Sequence, residues 1–120
     1  MLKAPSGSIL WRAGKGGVIE RSVDAGKEWV LEKSPSQEDW LAGAPVSDTV
    51  CWLVGKNGAI ARTMDGEQWV LVAPPAAARA EGRFPDWIGV TAGSARTATI
   101  TSSSRQSYAT GDGGATWQPQ

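Results

Sequence analysis

A repeat of about forty residues runs through the chain, and this narrows the folds open to it more than any other feature. The stretch from Trp11 to Trp29, WRAGKGGVIERSVDAGKEW, aligns with the stretch from Trp52 to Trp69, WLVGKNGAIARTMDGEQW. The opening tryptophans are 41 residues apart. So are Gly14 and Gly55, Gly17 and Gly58, Ile19 and Ile60, Arg21 and Arg62, Ser22 and Thr63, and Asp24 and Asp65. One residue then drops out, and Trp29 meets Trp69 at a spacing of 40. A third copy is more worn. Thr110, Asp112, Gly114 and Trp117 repeat Ser22, Asp24, Gly26 and Trp29, and Asp39-Trp40 meets Asp86-Trp87 at a spacing of 47. The extra residues fall between Trp69 and Asp86, in the stretch Pro74 to Arg83. Its prolines mark an inserted loop, with one helical turn expected over Ala76–Glu81.

Each repeat contains several short strand signals. In the second, Trp40 to Pro45 is a weak first strand and Thr49 to Val54 a strongly apolar second. Gly55-Lys56-Asn57-Gly58 is a hairpin signal, because Asn-Gly supplies the positive φ angles of a tight turn. Ala59 to Thr63 is the third strand. Asp65-Gly66 turns the chain into a fourth, Gln68 to Ala73, where Trp69, Leu71 and Ala73 alternate. Four strands in about 40 residues is the measure of one propeller blade. The reading is therefore all-β: one domain over 1–120 built of about three four-stranded antiparallel blades, with repeats at approximately 8–33, 39–73 and 84–118. The first repeat is incomplete, since Ser8 to Ala13 matches the second strand and little precedes it.

Composition narrows the functions. The 120 residues carry 12 basic and 12 acidic side chains, so no strongly basic surface for nucleic acid is expected. There is no histidine, which removes Ser-His-Asp and Cys-His catalysis and His-ligated zinc. The single cysteine, Cys51, cannot form an internal disulfide and lies in an apolar strand, where an inert buried thiol is expected. No apolar run is long enough to span a membrane, and the first seven residues lack the apolar stretch of a signal peptide. Glycine (15) and tryptophan (7) are in excess, as many turns and a repeated packing device require.

The segment Ser22-Val23-Asp24-Ala25-Gly26-Lys27-Glu28-Trp29 follows the pattern Ser/Thr-x-Asp-x-Gly-x-x-Trp, and so does Thr110 to Trp117. Thr63 to Trp69 is one residue short of it. This pattern resembles the Asp-box of bacterial neuraminidase-type (BNR) repeats. With Trp52-Leu53-Val54-Gly55, Gly58-Ala59-Ile60 and Arg62-Thr63 ahead of the box, the chain from about Ser8 onward resembles the repeats of the photosystem II stability and assembly factor family. That resemblance implies a β-propeller, a non-catalytic role in assembling a membrane complex, and an extracytoplasmic location, periplasmic or on an outer face. The box residues have a structural role on their own chemistry. Asp24, Asp65 and Asp112 can accept from turn N–H groups, Ser22, Thr63 and Thr110 add a hydroxyl, Gly26, Gly66 and Gly114 permit left-handed turns, and Trp29, Trp69 and Trp117 pack between blades.

Other motifs have plain explanations. Gly14-Lys15-Gly16-Gly17 fails the phosphate-loop pattern and reads as a hairpin. The aspartates beside glycine lack the alternating carboxylates and distal glutamate of a calcium loop. Neuraminidase chemistry needs an arginine triad and a tyrosine nucleophile with its partners. The one tyrosine, Tyr108, aligns with Ala61, and Arg21 and Arg62 are repeat equivalents, so no nucleophile and acid can be placed. No catalytic residue, cofactor or metal is assigned, and the chain is read as not an enzyme. Arg79, Arg83, Phe84, Asp86 and Trp87 cluster at the non-repeating insertion and form the candidate partner-binding set, since Arg and aromatics are enriched at hot spots. The competing reading is a solvated loop with Phe84 and Trp87 in the core. Arg96 and Arg105 form a second candidate.

The expected function is protein–protein interaction, as a scaffold, assembly or sensor module of a larger, envelope-type protein. The alternative is a glycan-binding or sialidase-derived carbohydrate module. Three repeats are too few for a closed ring. Either the chain is part of a larger propeller, or copies associate, with a homodimer of six blades as the favoured form. No nucleic acid and no direct membrane insertion are expected.

Overall fold

A computed structural model describes residues 2–120 as twelve strands in three four-stranded antiparallel sheets, stacked as partial-propeller blades. Blade one holds β1 (Leu2–Lys3), β2 (Leu10–Ala13), β3 (Ile19–Ser22) and β4 (Val30–Glu32). Blade two holds β5 (Trp40–Pro45), β6 (Cys51–Gly55), β7 (Ile60–Thr63) and β8 (Trp69–Leu71). Blade three holds β9 (Trp87–Ala92), β10 (Ala98–Ser102), β11 (Ser107–Thr110) and β12 (Gln118–Pro119). Each blade is a meander in chain order. The molecule is an elongated arc of 43 × 27 × 21 Å. Among the described residues no helix is long and apolar enough to cross a membrane.

Local structure follows the turn chemistry. In the β6–β7 hairpin Asn57 (φ 56°) and Gly58 (φ 81°) take the two left-handed positions. Gly58 is also sterically required, since a Cβ there would meet the Phe84 side chain at 2.5 Å. Four points differ from expectation. Leu2–Lys3 pair with Leu10 and Trp11, giving blade one a short first strand ahead of Ser8. In the insertion only Ala76–Ala78 is helical, one 3-10 turn, because Glu81 and Gly82 both take positive φ and fold Ala80 back onto Arg83. Gln68 to Ala73 does not alternate to its end: Leu71 is exposed, while Val72 is buried and donates its N–H to the Ile60 carbonyl at 2.8 Å. The fourth difference, the place of Trp87, bears on the candidate site.

The core is not inside any one blade, because each sheet is a single layer. It lies in two seams between blades. Trp11, Ile19, Trp40, Cys51, Leu53, Ala61 and Trp69 fill the first. Trp52, Val54, Ile60, Trp87, Ile100 and Tyr108 fill the second. Edge-to-face ring pairs recur in equivalent places, with Trp11 on Trp69 and Trp52 on Trp117 both at 6.4 Å between centroids. Such aromatic pairs add about 0.5–1.5 kcal/mol beyond the area they bury.

Candidate functional site

The three box turns close on themselves. Ser22 Oγ donates to Asp24 Oδ1 (2.8 Å) and accepts from Gly26 N (2.8 Å), while Asp24 Oδ1 accepts from Glu28 N (2.9 Å). In blade two, Gly66 N donates to Thr63 Oγ1 (3.0 Å), and the N–H groups of Glu67 and Gln68 donate to Asp65 Oδ1 at 2.9 and 2.8 Å. In blade three, Gly114 N donates to Thr110 Oγ1 (2.9 Å), and Thr116 gives Asp112 both its N–H (2.9 Å) and its hydroxyl (2.6 Å). Donors aimed at a carboxylate favour its charged form. The Glu28 N–H holds Asp24 below the usual carboxylate range, those of Gln68 and Glu67 do the same for Asp65, and the Thr116 hydroxyl takes Asp112 down to about 2. These oxygens serve their own turns. No cluster of three candidate metal ligands exists among the described residues.

Neighbouring blades are pinned through these turns. The Arg21 side chain lies against Gly66, where a Cβ would approach Nη2 to 2.8 Å. Its Nη2 donates to the Asp48 carbonyl at 3.3 Å, and the indole N–H of Trp11 points at the Gly66 carbonyl at 3.4 Å. One blade on, Arg62 Nη1 donates to the carbonyls of Gly113 (2.8 Å) and Ala95 (3.2 Å), and Trp52 Nε1 donates to the Ser94 carbonyl (3.0 Å). Trp69 and Trp117 reach back the other way, whereas the box tryptophan of blade one, Trp29, does not pack between blades as expected from the repeat but lies partly exposed under the Arg12 guanidinium of its own blade. Trp69 Nε1 donates to Glu32 Oε1 at 2.8 Å, and Trp117 Nε1 donates to the Ala73 carbonyl at 3.0 Å. Burial raises the Glu32 carboxyl, and the Trp69 bond partly offsets this. Burial also pushes the Cys51 thiol well above its ordinary value, so it is held as an unreactive thiol.

The insertion separates its five candidates. Arg79 and Arg83 are exposed. Phe84 is half-buried on Gly58. The Asp86 carboxylate accepts from Asn57 N at 2.9 Å and so braces the neighbouring hairpin. Trp87 is fully buried, edge-on to Tyr108 at 6.0 Å between centroids, because it is the first residue of β9 and points into the second seam. Trp87 therefore belongs to the core and presents nothing to a partner. Arg96 and Arg105 are exposed at separate turns. A surface the sequence did not single out is an open groove of about 480 Å³ between β4 and the box turn of blade two, lined by Arg21, Val23, Val30, Leu31, Glu32 and Glu67. Two of its apolar residues, Val30 and Leu31, sit on an edge strand of three residues, too short for an alternation signal, and the third, Val23, lies in the box turn of blade one.

No family model matches the chain, and no curated protein matches it. Solved structures do match. A structure of YCF48 bound to D1 peptide superposes with a TM-score of 0.78 at 18% identity, over 98% of this chain and 42% of that one. YCF48 from Cyanidioschyzon merolae gives a TM-score of 0.81 at 20% identity, over 99% of this chain and 38% of that one. The chain has the fold of part of YCF48. It spans about two-fifths of the length of those neighbours. At this level of identity the likeness is one of fold: three antiparallel blades of a β-propeller.

Proposed function

We propose that the chain is a non-catalytic interaction module that holds a segment of a partner protein, in an assembly, scaffold or sensor role within a larger envelope-type protein. The observation that carries this reading is the fold shared with YCF48, one structure of which holds a D1 peptide. Two features of the chain support it. The recurring polar groups are engaged in their own turns or in blade junctions, as the hydrogen bonds of Asp24, Asp65 and Asp112 illustrate, so they are poor candidates for acid–base work. The exposed Arg79 and Arg83, beside Phe84, offer cationic and aromatic contacts on a loop that departs from the repeat. We read the three turns as Asp-boxes of the neuraminidase type that serve folding.

The test is a pull-down with the intact chain and with Arg79→Ala/Arg83→Ala, alongside a glycan array. Retention of one protein by the intact chain, reduced about tenfold in the double variant, is the expected outcome for a hot-spot surface. Selective sialoside or polysaccharide binding without a protein partner would replace this reading with the carbohydrate module. Ring closure by a second copy, the other expectation from three repeats, would require the outer faces of blades one and three to meet. Their side chains speak against it.

A further inference from the structure

Both internal junctions are built from one device, and neither outer face repeats it. Strand register equates Trp11 and Arg21 of blade one with Trp52 and Arg62 of blade two. Each pair projects into the next blade, toward Gly66 and toward Gly113 with Ser94. The same register puts Thr99 and Ala109 in their place in blade three. Beside them, Val54 and Ile60 of blade two become Thr101 and Ser107, whose hydroxyls lie 3.0 Å apart. Thr99, Thr101, Ser107 and Ala109 are all partly exposed. The forward face of blade three is thus small and hydroxylated where the forward face of blade two is large, apolar and tipped with a guanidinium.

The receiving face of blade one is altered in a complementary way. Blades two and three receive with Leu53 and Ala61, and with Ile100 and Tyr108, all buried. The equivalents in blade one are Arg12 and Glu20, an ion pair at 2.8 Å, with the Arg12 guanidinium 4.1 Å above the Trp29 ring. The glycine after the box aspartate, against which the incoming arginine lies at Gly66 and Gly113, is Ala25 in blade one, at φ 61°. Covering Arg12 and Glu20 with another sheet would take this ion pair out of water, and the opposite face offers no charged group to satisfy what their mutual bond leaves unpaired. Polar outer faces on terminal repeats are what keep repeat arrays soluble.

We propose that both outer faces are solvated caps: the outer faces of blade one and blade three stay hydrated, and copies of the chain do not close head to tail into a ring. The test places one thiol on each face, Glu20→Cys and Thr99→Cys, with Cys51 buried as the internal silent control. Maleimide labelling is followed as protein concentration is raised from about 1 µM to about 500 µM, a range in which mass action would fill an association site. The expected result is labelling rates constant within about twofold, with wild-type chain showing the mass of one chain by light scattering throughout. Protection of either thiol by about tenfold at high concentration, or growth of the wild-type mass that Thr99→Asp abolishes, would overturn the proposal.

Discussion

Arg62, rooted in blade two, donates through Nη1 to the main-chain carbonyl of Gly113 in blade three at 2.8 Å, 51 residues along the chain. The same nitrogen reaches the Ala95 carbonyl, and the guanidinium carbon stands 5.4 Å from the centroid of the Trp52 ring. One side chain therefore couples the packing tryptophan of its own blade to the box turn of the next.

Removing that side chain should loosen the second junction. Arg62→Ala leaves two carbonyls without a charged donor, and bonds to charged groups contribute about 1.5–3 kcal/mol each, not additively when they share one nitrogen. A loss of about 2–3 kcal/mol is expected as a lower urea midpoint at unchanged m-value. Arg62→Lys retains the charge but not the planar guanidinium beside the Trp52 ring, and should recover less than half of the loss.

Alanine at the turn glycines should separate the blades by their surroundings. Gly113 has φ 76°, and a Cβ there would approach Arg62 Nη1 to 2.7 Å. Gly113→Ala therefore combines left-handed strain of about 1–2 kcal/mol with displacement of the guanidinium. The reverse change, Ala25→Gly, removes the same strain at φ 61° where no arginine arrives. It should be neutral or stabilising by up to about 1 kcal/mol, since lost strain is set against a more flexible unfolded chain. Thermal unfolding of the two variants beside wild type measures both signs.

The features legible in the sequence are those that recur within one blade. Asn57-Gly58, the Asp24, Asp65 and Asp112 turns and the strand order depend on neighbours a few residues away, so the pattern carries them. Trp87 could be read either as a loop anchor or as core, because a strand's first residue shows no alternation until its sheet is known. Leu2–Lys3 is too short to show a period. The polar faces needed three-dimensional register: the third repeat looks worn, and only pairing of Thr99 with Ala109 reveals that its departures share one side of the sheet.

Glu32 should be better tolerated as an amide than as a charge. Its folded pKa is raised by burial above the ordinary 4.5, so the stability tied to this group is fully present below that value and is lost as pH rises through the folded pKa. Glu32→Gln keeps an acceptor for Trp69 Nε1 and removes the charge. At pH 7 its urea midpoint should equal or exceed that of wild type, and the difference should close below pH 4.5. A loss of more than about 1 kcal/mol at pH 7 would mean that the charge-assisted bond from Trp69 outweighs the desolvation of the carboxylate.

Acid should weaken the chain through the opposite sign of linkage. Asp112 has its folded pKa depressed to about 2 from an ordinary 3.8, so its contribution is present above 3.8 and is lost as pH falls toward 2. Asp24 and Asp65 are lowered as well and act in the same direction. In Asp112→Asn the amide oxygen can still accept from the Thr116 N–H, and the amide nitrogen can donate to the Thr116 hydroxyl, so the turn can survive without a titrating group. Wild type should be the more stable at pH 7, and the gap to the variant should shrink between pH 4 and pH 2, read as urea midpoints at stepped pH. Stability curves that stay parallel over that interval would mean that the Asp112 charge does not hold the turn, and that its role rests on the shape of the acceptor alone.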